Sequence, residues 1–426
     1  MRDQNDKELI MNEYIYKCFD CGKTYGKDEI EKNLVYLCPT CGKVEKNQPL
    51  KGILLIEYDY DSIKSKISKE SFFNYELGRF WQYDFLWPLD SAKLFSLQNE
   101  LEKISLPSNC FQKLKYEGRE FFVLNDTSNP TLSFKDRASS LVALKALELG
   151  IDKIAAASTG NAGSSLAGIC ARLGLKSTIF VPKNIPEAKR IQIQSFGAEL
   201  VLVDGDYDLA FDTCLEISSQ KKWYNRNTAY NPLTIEGKKS AAYDIFIALK
   251  GKLPNYIFVP TGDGVILSGL CKGFWELQKL GWIEELPKLI AVQAEGGNAF
   301  ERYMGTKKFE YAPAVSVADS ICAGAPRALY LGIEAIEKSG GEVIVASDEE
   351  ILTAQKESAK EFGILLEPSS SASFAAYKKF TNQEKLQDGT ALLLFTGNGL
   401  KDVSSLSKWN EKISALTPEQ IKEKFL

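Results

Sequence analysis

The chain of 426 residues contains no histidine. That absence excludes every Ser-His-Asp and Cys-His arrangement and any imidazole metal ligand. A general base working near neutral pH is then a lysine, carboxylate, tyrosine or thiolate with a shifted pKa, or a group on a cofactor. Long apolar runs are also missing. The longest are strand-sized, well short of the ~18 residues that a membrane-spanning helix needs. No run of basic residues offers a nucleic-acid surface, and 52 basic against 56 acidic residues leave a formal charge of −4. The opening residues, Met1-Arg-Asp-Gln-Asn-Asp-Lys-Glu8, are too polar for a signal peptide. With no export signal, the nine cysteines are expected in a reducing cytoplasm. The sequence has neither an internal repeat nor a low-complexity tract.

What is present points to an α/β enzyme of two to three domains, at about 150 residues per domain. A hydrophobic share of 44% is ample for a large core. Near the start, Cys18-Phe-Asp-Cys21 and Cys38-Pro-Thr-Cys41 are two Cys-x-x-Cys pairs, followed by Gly22 and Gly42. Their spacing fits a four-cysteine zinc ribbon, each pair on a tight knuckle whose glycine takes a positive φ. The alternatives are two disulfides or free thiols, and disulfides fit poorly with a cytoplasmic chain. Four thiolates close the coordination sphere, so a metal here is structural. Whether the ribbon docks on the rest of the chain or on a partner is open at this stage. Phe72, Phe73, Tyr75, Phe80, Trp81, Tyr83, Phe85 and Trp87 follow within sixteen positions and are expected to pack as core.

From about residue 120 strands and helices alternate. Apolar strands are expected at 121–124, 154–157, 177–181, 200–203, 256–259, 289–293 and 391–395, with helices over 134–150, 162–173 and 188–196. Such alternation implies parallel sheets covered on both faces, with the active site at the carboxyl ends of the strands.

Four short turns lie at those ends: Asn129-Pro-Thr-Leu-Ser-Phe-Lys-Asp-Arg137, Ser158-Thr-Gly-Asn-Ala-Gly163, Thr261-Gly-Asp-Gly-Val265 and Thr396-Gly-Asn-Gly399. In the first, Ser133 is placed to cap a helix and Lys135 falls in its first turn. A lysine there opposes the helix dipole, and such local conflicts gather at functional sites. Taken alone, Lys135 also reads as a solvated surface lysine. In the second, Ser158, Thr159, Gly160, Asn161 and Ala162 offer backbone amides and side-chain donors that suit a substrate carboxylate, or form a plain capped turn. In the third, Gly262, Asp263, Gly264, Val265 and Ile266 suit a phosphate, provided the Asp263 carboxylate points away. Together the turns read as a site for a phosphorylated aldehyde cofactor held as a lysine imine.

These motifs resemble the threonine synthase family, part of the tryptophan-synthase-β-like, fold type II pyridoxal-phosphate enzymes. The segment 129–137 is similar to that family's cofactor-lysine motif. The segment 158–162 resembles its substrate-carboxylate loop, and 261–266 its cofactor-phosphate loop. Asn231-Pro-Leu-Thr-Ile-Glu-Gly-Lys238, Glu367-Pro-Ser-Ser-Ser-Ala-Ser373 and Thr396-Gly-Asn-Gly-Leu-Lys-Asp402 resemble further family segments in the same order. The resemblance runs from about residue 120 to 405. It implies two open, twisted, mainly parallel sheets covered by helices, plus the small ribbon. The implied domains are a zinc ribbon over 1–47, a large cofactor domain over 48–134 and 237–426, and a small domain over 135–236.

The resemblance also implies roles. Lys135 would hold pyridoxal 5'-phosphate and act as the catalytic base. Gly262, Asp263, Gly264, Val265 and Ile266 would take its phosphate, Asn161 its 3′ oxygen, and Thr396 would face its ring nitrogen. Ser158, Thr159, Gly160, Asn161 and Ala162 would bind the amino-acid substrate. The implied reaction is that of a lyase, O-phosphohomoserine and water giving threonine and phosphate. One alternative is β-replacement or β-elimination on a serine-like amino acid, as in cysteate or cysteine synthesis or an ammonia-lyase. Another is a non-catalytic zinc-ribbon protein that binds a phosphorylated ligand or a partner. The reading has no place for nucleic acid or membrane and leaves room for a homodimer. Two positions depart from the family pattern: its substrate-phosphate arginine falls on Thr234, and its histidine on Asn398. Arg327, in Ala318-Asp-Ser-Ile-Cys-Ala-Gly-Ala-Pro-Arg327, is a candidate replacement cation.

Overall fold

The computed structural model describes residues 13–426 apart from 159, 184, 186, 206, 387, 388 and 412, and gives only the backbone of 188, 207 and 208. Near the start, β1 (Tyr14–Cys18), β2 (Thr24–Tyr25) and β3 (Leu54–Tyr58) form an antiparallel sheet in the order β2-β1-β3. Cys18 ends β1, and Cys21, Cys38 and Cys41 gather beside it outside the strands. Next come β4 (Phe111–Tyr116), β5 (Arg119–Asn125), β6 (Lys153–Ala157), β7 (Lys176–Pro182), β8 (Glu199–Val203) and β9 (Tyr224–Asn225). The last four are β10 (Tyr256–Pro260), β11 (Lys288–Ala294), β12 (Glu342–Ala346) and β13 (Ala391–Phe395).

A six-stranded sheet runs β12-β11-β10-β13-β5-β4, and a four-stranded one runs β8-β7-β6-β9. Every pairing in these two is parallel except the edge hairpin β4–β5. The central strands have the buried run that two covered faces require; all five residues of β13 are buried. The expected strands are all present, and β4, β9 and β12 are additional. β4 exposes alternate positions, and β9 is two residues long, so neither carries an apolar run.

The aromatic segment packs as core. Phe72, Tyr83, Phe85 and Trp87 are fully buried, and one continuous apolar cluster joins them to the ribbon tyrosines and to the helices under both sheets. The ribbon therefore docks on the body. Polar contacts fix it there. Tyr14 and Tyr16 donate to Glu31, which faces the buried Lys145 on the helix Lys135–Glu148. Tyr58 donates to Glu236 on the helix Leu233–Ala248 at 2.8 Å. No helix among the described residues is long and apolar enough to cross a membrane.

Candidate active site

Lys135 is the first residue of the helix Lys135–Glu148. The turn before it is shaped differently from the sequence expectation. Ser133 does not cap the helix; its hydroxyl is buried with no hydrogen-bond partner among the described residues, and the cap position is Phe134. Instead Asp136 folds the turn back on itself by accepting from the Thr131 amide, 2.7 Å, and the Thr131 hydroxyl. A carboxylate in the first helical turn also offsets the lysine that the dipole disfavours. The Phe134 amide donates to the Thr396 carbonyl, which brings the last of the four turns beside Lys135.

A cavity of about 590 Å³ opens at the carboxyl ends of β6 and β10. Lys135, Ser158, Gly160, Asn161, Ala162 and the loop 261–266 all line it. Of the expected site residues, Thr396 is buried behind Phe134 rather than on the wall, and Thr159 lies outside the described residues.

The Lys135 amine has no hydrogen-bond partner among the described residues. Burial lowers its pKa below the usual lysine range; the Glu367 carboxylate pulls the other way, and the Arg226 guanidinium pushes it further down. Lys238 also lines the cavity and is almost wholly buried. Burial drives its pKa well down, aided by Arg226 and Lys135.

The loop after β10 is built for close approach. Gly264 takes φ 83° as the cap of the fifteen-residue helix Val265–Lys279, leaving that helix's first amides open to an anion. A Cβ on Gly262 would stand 2.7 Å from the Ile321 Cα. The Asp263 carboxylate accepts from the Arg327 amide at 3.2 Å, so it is engaged in the loop anchor.

Sequence reasoning gave Glu367 no role in the site. It is buried at the start of the helix Pro368–Asn382, 206 positions from Asn161. The Asn161 amide donates to both of its carboxylate oxygens, at 2.8 and 2.9 Å. Burial raises the Glu367 pKa, while Asn161 and Lys135 oppose the rise. Its sequence signal was the segment Glu367–Ser373, which resembles a family segment but was given no role in the site. Thr234, at the family's arginine position, is fully buried and occupied by its own turn: its hydroxyl donates to the Asn231 carbonyl at 2.8 Å and accepts from the Ala229 amide.

The four cysteine Sγ atoms lie within 4.8 Å of one another. Gly22 takes the expected positive φ, 72°, but Gly42 does not. Gly42 is needed for space: a Cβ there would come 2.6 Å from the Cys38 carbonyl oxygen.

Residues 106–397 match the family described as "Pyridoxal-phosphate dependent enzyme". The threonine synthase of Methanocaldococcus jannaschii is 34% identical over 404 residues, 93% of this chain and 95% of that protein. The threonine synthase of Methanosarcina acetivorans is 32% identical, over 91% and 92%. Among solved structures, maize serine racemase superposes with a TM-score of 0.61 at 16% identity, covering 76% of this chain and 97% of that one, which is likeness of fold. The residues present fit the cofactor that the family name carries: a lysine amine without a partner and depressed by burial, an amide-lined helix start, and buried cations in one cavity. The chain belongs to the fold type II pyridoxal-phosphate dependent enzymes, as a homologue of the threonine synthases.

Proposed function

We propose that the chain is a lyase of the threonine synthase type, converting O-phosphohomoserine and water into threonine and phosphate. The observation that carries this reading is the charge of the cavity. Four cationic side chains line it, Lys46, Lys135, Lys238 and Arg327, against two carboxylates, Asp263 and Asp319. Asp263 is engaged by a backbone amide and Asp319 by Lys189. Lys238 and Arg327 are buried and Lys135 is half-buried, so the cavity favours anions, and a phosphorylated cofactor with a phosphorylated substrate supplies them. The identity to threonine synthases over nearly the whole chain supports the same reaction.

Bound in this cavity, pyridoxal phosphate supplies an electron sink for the charge that forms at the substrate's α carbon. In this reading Lys135 would hold the cofactor through its amine until the substrate's amine displaces it, and the freed Lys135 amine would then take the proton from the α carbon. Burial, by depressing the Lys135 pKa, keeps the amine able to accept it. The amides of 264–266 would bind the cofactor phosphate. Ser158, Thr159 and Asn161 orient the substrate carboxylate. Glu367 holds the Asn161 amide in place, and Thr396, buried beside Phe134, would be the residue that serves the ring nitrogen. The ribbon expected over 1–47 continues through the 43–51 hairpin into β3, the proposed small domain over 135–236 ends inside the helix Leu233–Ala248, and in this reading the four cysteines bind one zinc. The setting is the cytoplasm.

A serine-like substrate is the second reading, favoured by one observation: Thr234 offers no charge to a distal phosphate. Phosphate release from O-phosphohomoserine by the purified holoenzyme decides between them. We expect steady turnover, and a fall of about 10²–10⁴-fold in Lys135→Ala. No release from O-phosphohomoserine, with ammonia or sulfite-dependent turnover of serine-like substrates, would reject the first reading.

A further inference from the structure

The ribbon reaches the cavity. After the second cysteine pair the chain returns as a hairpin, with Lys43 and Lys51 paired in both directions and the Cys38 amide donating to the Gly52 carbonyl at 2.7 Å. The tip of that hairpin, Lys46 and Asn47, is part of the cavity wall. Asn47 takes φ 55°, which turns the chain sharply toward the cavity. The next residues grip Arg327 from both ends: its guanidinium donates to the Gln48 carbonyl at 3.1 Å, and its own carbonyl accepts from the Leu50 amide at 3.0 Å. Arg327 is 5% exposed, with its guanidinium 4.8 Å from the Phe211 ring centre, and lines the same cavity. The cation missing at position 234 is therefore matched by two cations that another part of the chain brings in.

We propose that the ribbon hairpin forms the distal wall of the substrate pocket, and that Lys46 and Arg327 are its specificity residues, receiving the anionic end of the substrate. This rests on the reading that the substrate carries a phosphate. The hairpin bonds hold Arg327 rigid, so its rotamer is ordered before the substrate arrives. Gln48 and Leu50 are positioning residues that act through Arg327. The cofactor phosphate has its own amides at 264–266, so the two anions do not compete for one group.

The test uses the full-length holoenzyme as wild type, Lys46→Ala, Arg327→Gln and, as a control on the same hairpin, the exposed Lys43→Ala. Two quantities are read: KM and kcat for O-phosphohomoserine, and the dissociation constant of inorganic phosphate from its perturbation of the cofactor absorbance. We expect KM and the phosphate constant to rise about tenfold or more in Lys46→Ala and Arg327→Gln. The drop in kcat should be smaller than the rise in KM, cofactor loading should be intact, and Lys43→Ala should match wild type. If both quantities stay within about twofold in both variants, the proposal is wrong even though the synthase reading stands. If wild type does not turn over O-phosphohomoserine, that reading fails, and the phosphate titration still decides the subsite: weakening in the two variants supports it, and unchanged binding overturns it.

Discussion

Two lysines in one cavity, Lys135 and Lys238, are each depressed chiefly by burial, and Arg226 pushes both further down. The consequence for stability has a definite sign. An unfolded lysine titrates at about 10.4, above the folded value of Lys238. Between those values the unfolded chain binds more protons, so stability rises with pH across that window. Below the folded value of Lys238 the burden is fully present. Lys238→Met should therefore raise the melting temperature of the cofactor-stripped protein at pH 7, with an advantage that shrinks as pH approaches 10. It should weaken reloading of the cofactor at the same time. A melting temperature for the variant below that of wild type at pH 7 would show that Lys238 has a counter-ion in solution. Lys135 was legible in the sequence because its motif is local. Glu367 was not, because its meeting with Asn161 spans 206 positions and depends on how the two sheets face each other.

The helices that carry these lysines are locked by a buried charge cluster. Arg137, one turn into the helix Lys135–Glu148, pairs with Asp126 after β5 at 2.6 Å and with Asp244 on the helix Leu233–Ala248 at 2.6 Å, all without solvent exposure beyond 1%. Asp244 also accepts from the Tyr83 hydroxyl at 2.8 Å, which ties in the aromatic segment. Removing one partner of such a cluster strands the other charges. Asp244→Ala should cost roughly 3–5 kcal/mol of stability, read as a lower midpoint in urea. By contrast, Lys113→Ala, which breaks the exposed pair with Glu120, should leave the urea midpoint close to that of wild type. Equal costs would mean that the cluster is hydrated in solution. At this scale the sequence was informative where apolar runs marked the strands and uninformative at β4, β9 and β12. All three lie at sheet edges; β4 alternates and β9 has only two residues, whereas β12 carries the short apolar run Val343–Ala346, which the sequence reading passed over.

Across the whole molecule, the cysteine hairpin is joined to the catalytic body through its core and not by a linker. The sequence singled out the four clustered cysteines because Cys-x-x-Cys spacing is a local signal. It gave no sign of where the ribbon docks, because Tyr14, Tyr16 and Glu31 look like ordinary residues until Lys145 is placed opposite them, 114 positions from Glu31. Lys145 is fully buried, and besides Glu31 it has Glu148 at 2.9 Å. Loss of Glu31 thus leaves one carboxylate for a buried ammonium and two buried tyrosine hydroxyls without their shared acceptor. Glu31→Ala should cost roughly 2–4 kcal/mol. Because Lys145 lies on the helix that begins at Lys135, the loss should be felt in cofactor retention as well as in melting temperature. Zinc chelation should produce the same pair of effects, since an unfolded ribbon withdraws Glu31, Tyr14 and Tyr16 together. The decisive measurement is the melting temperature and bound-cofactor absorbance of wild type and Glu31→Ala, each with and without chelator. If the ribbon stabilises the body through this contact, chelation should lower the wild type strongly and the variant much less, because part of the coupling is already gone. Equal drops in both would place the coupling elsewhere, along β3 and the Tyr58–Glu236 contact.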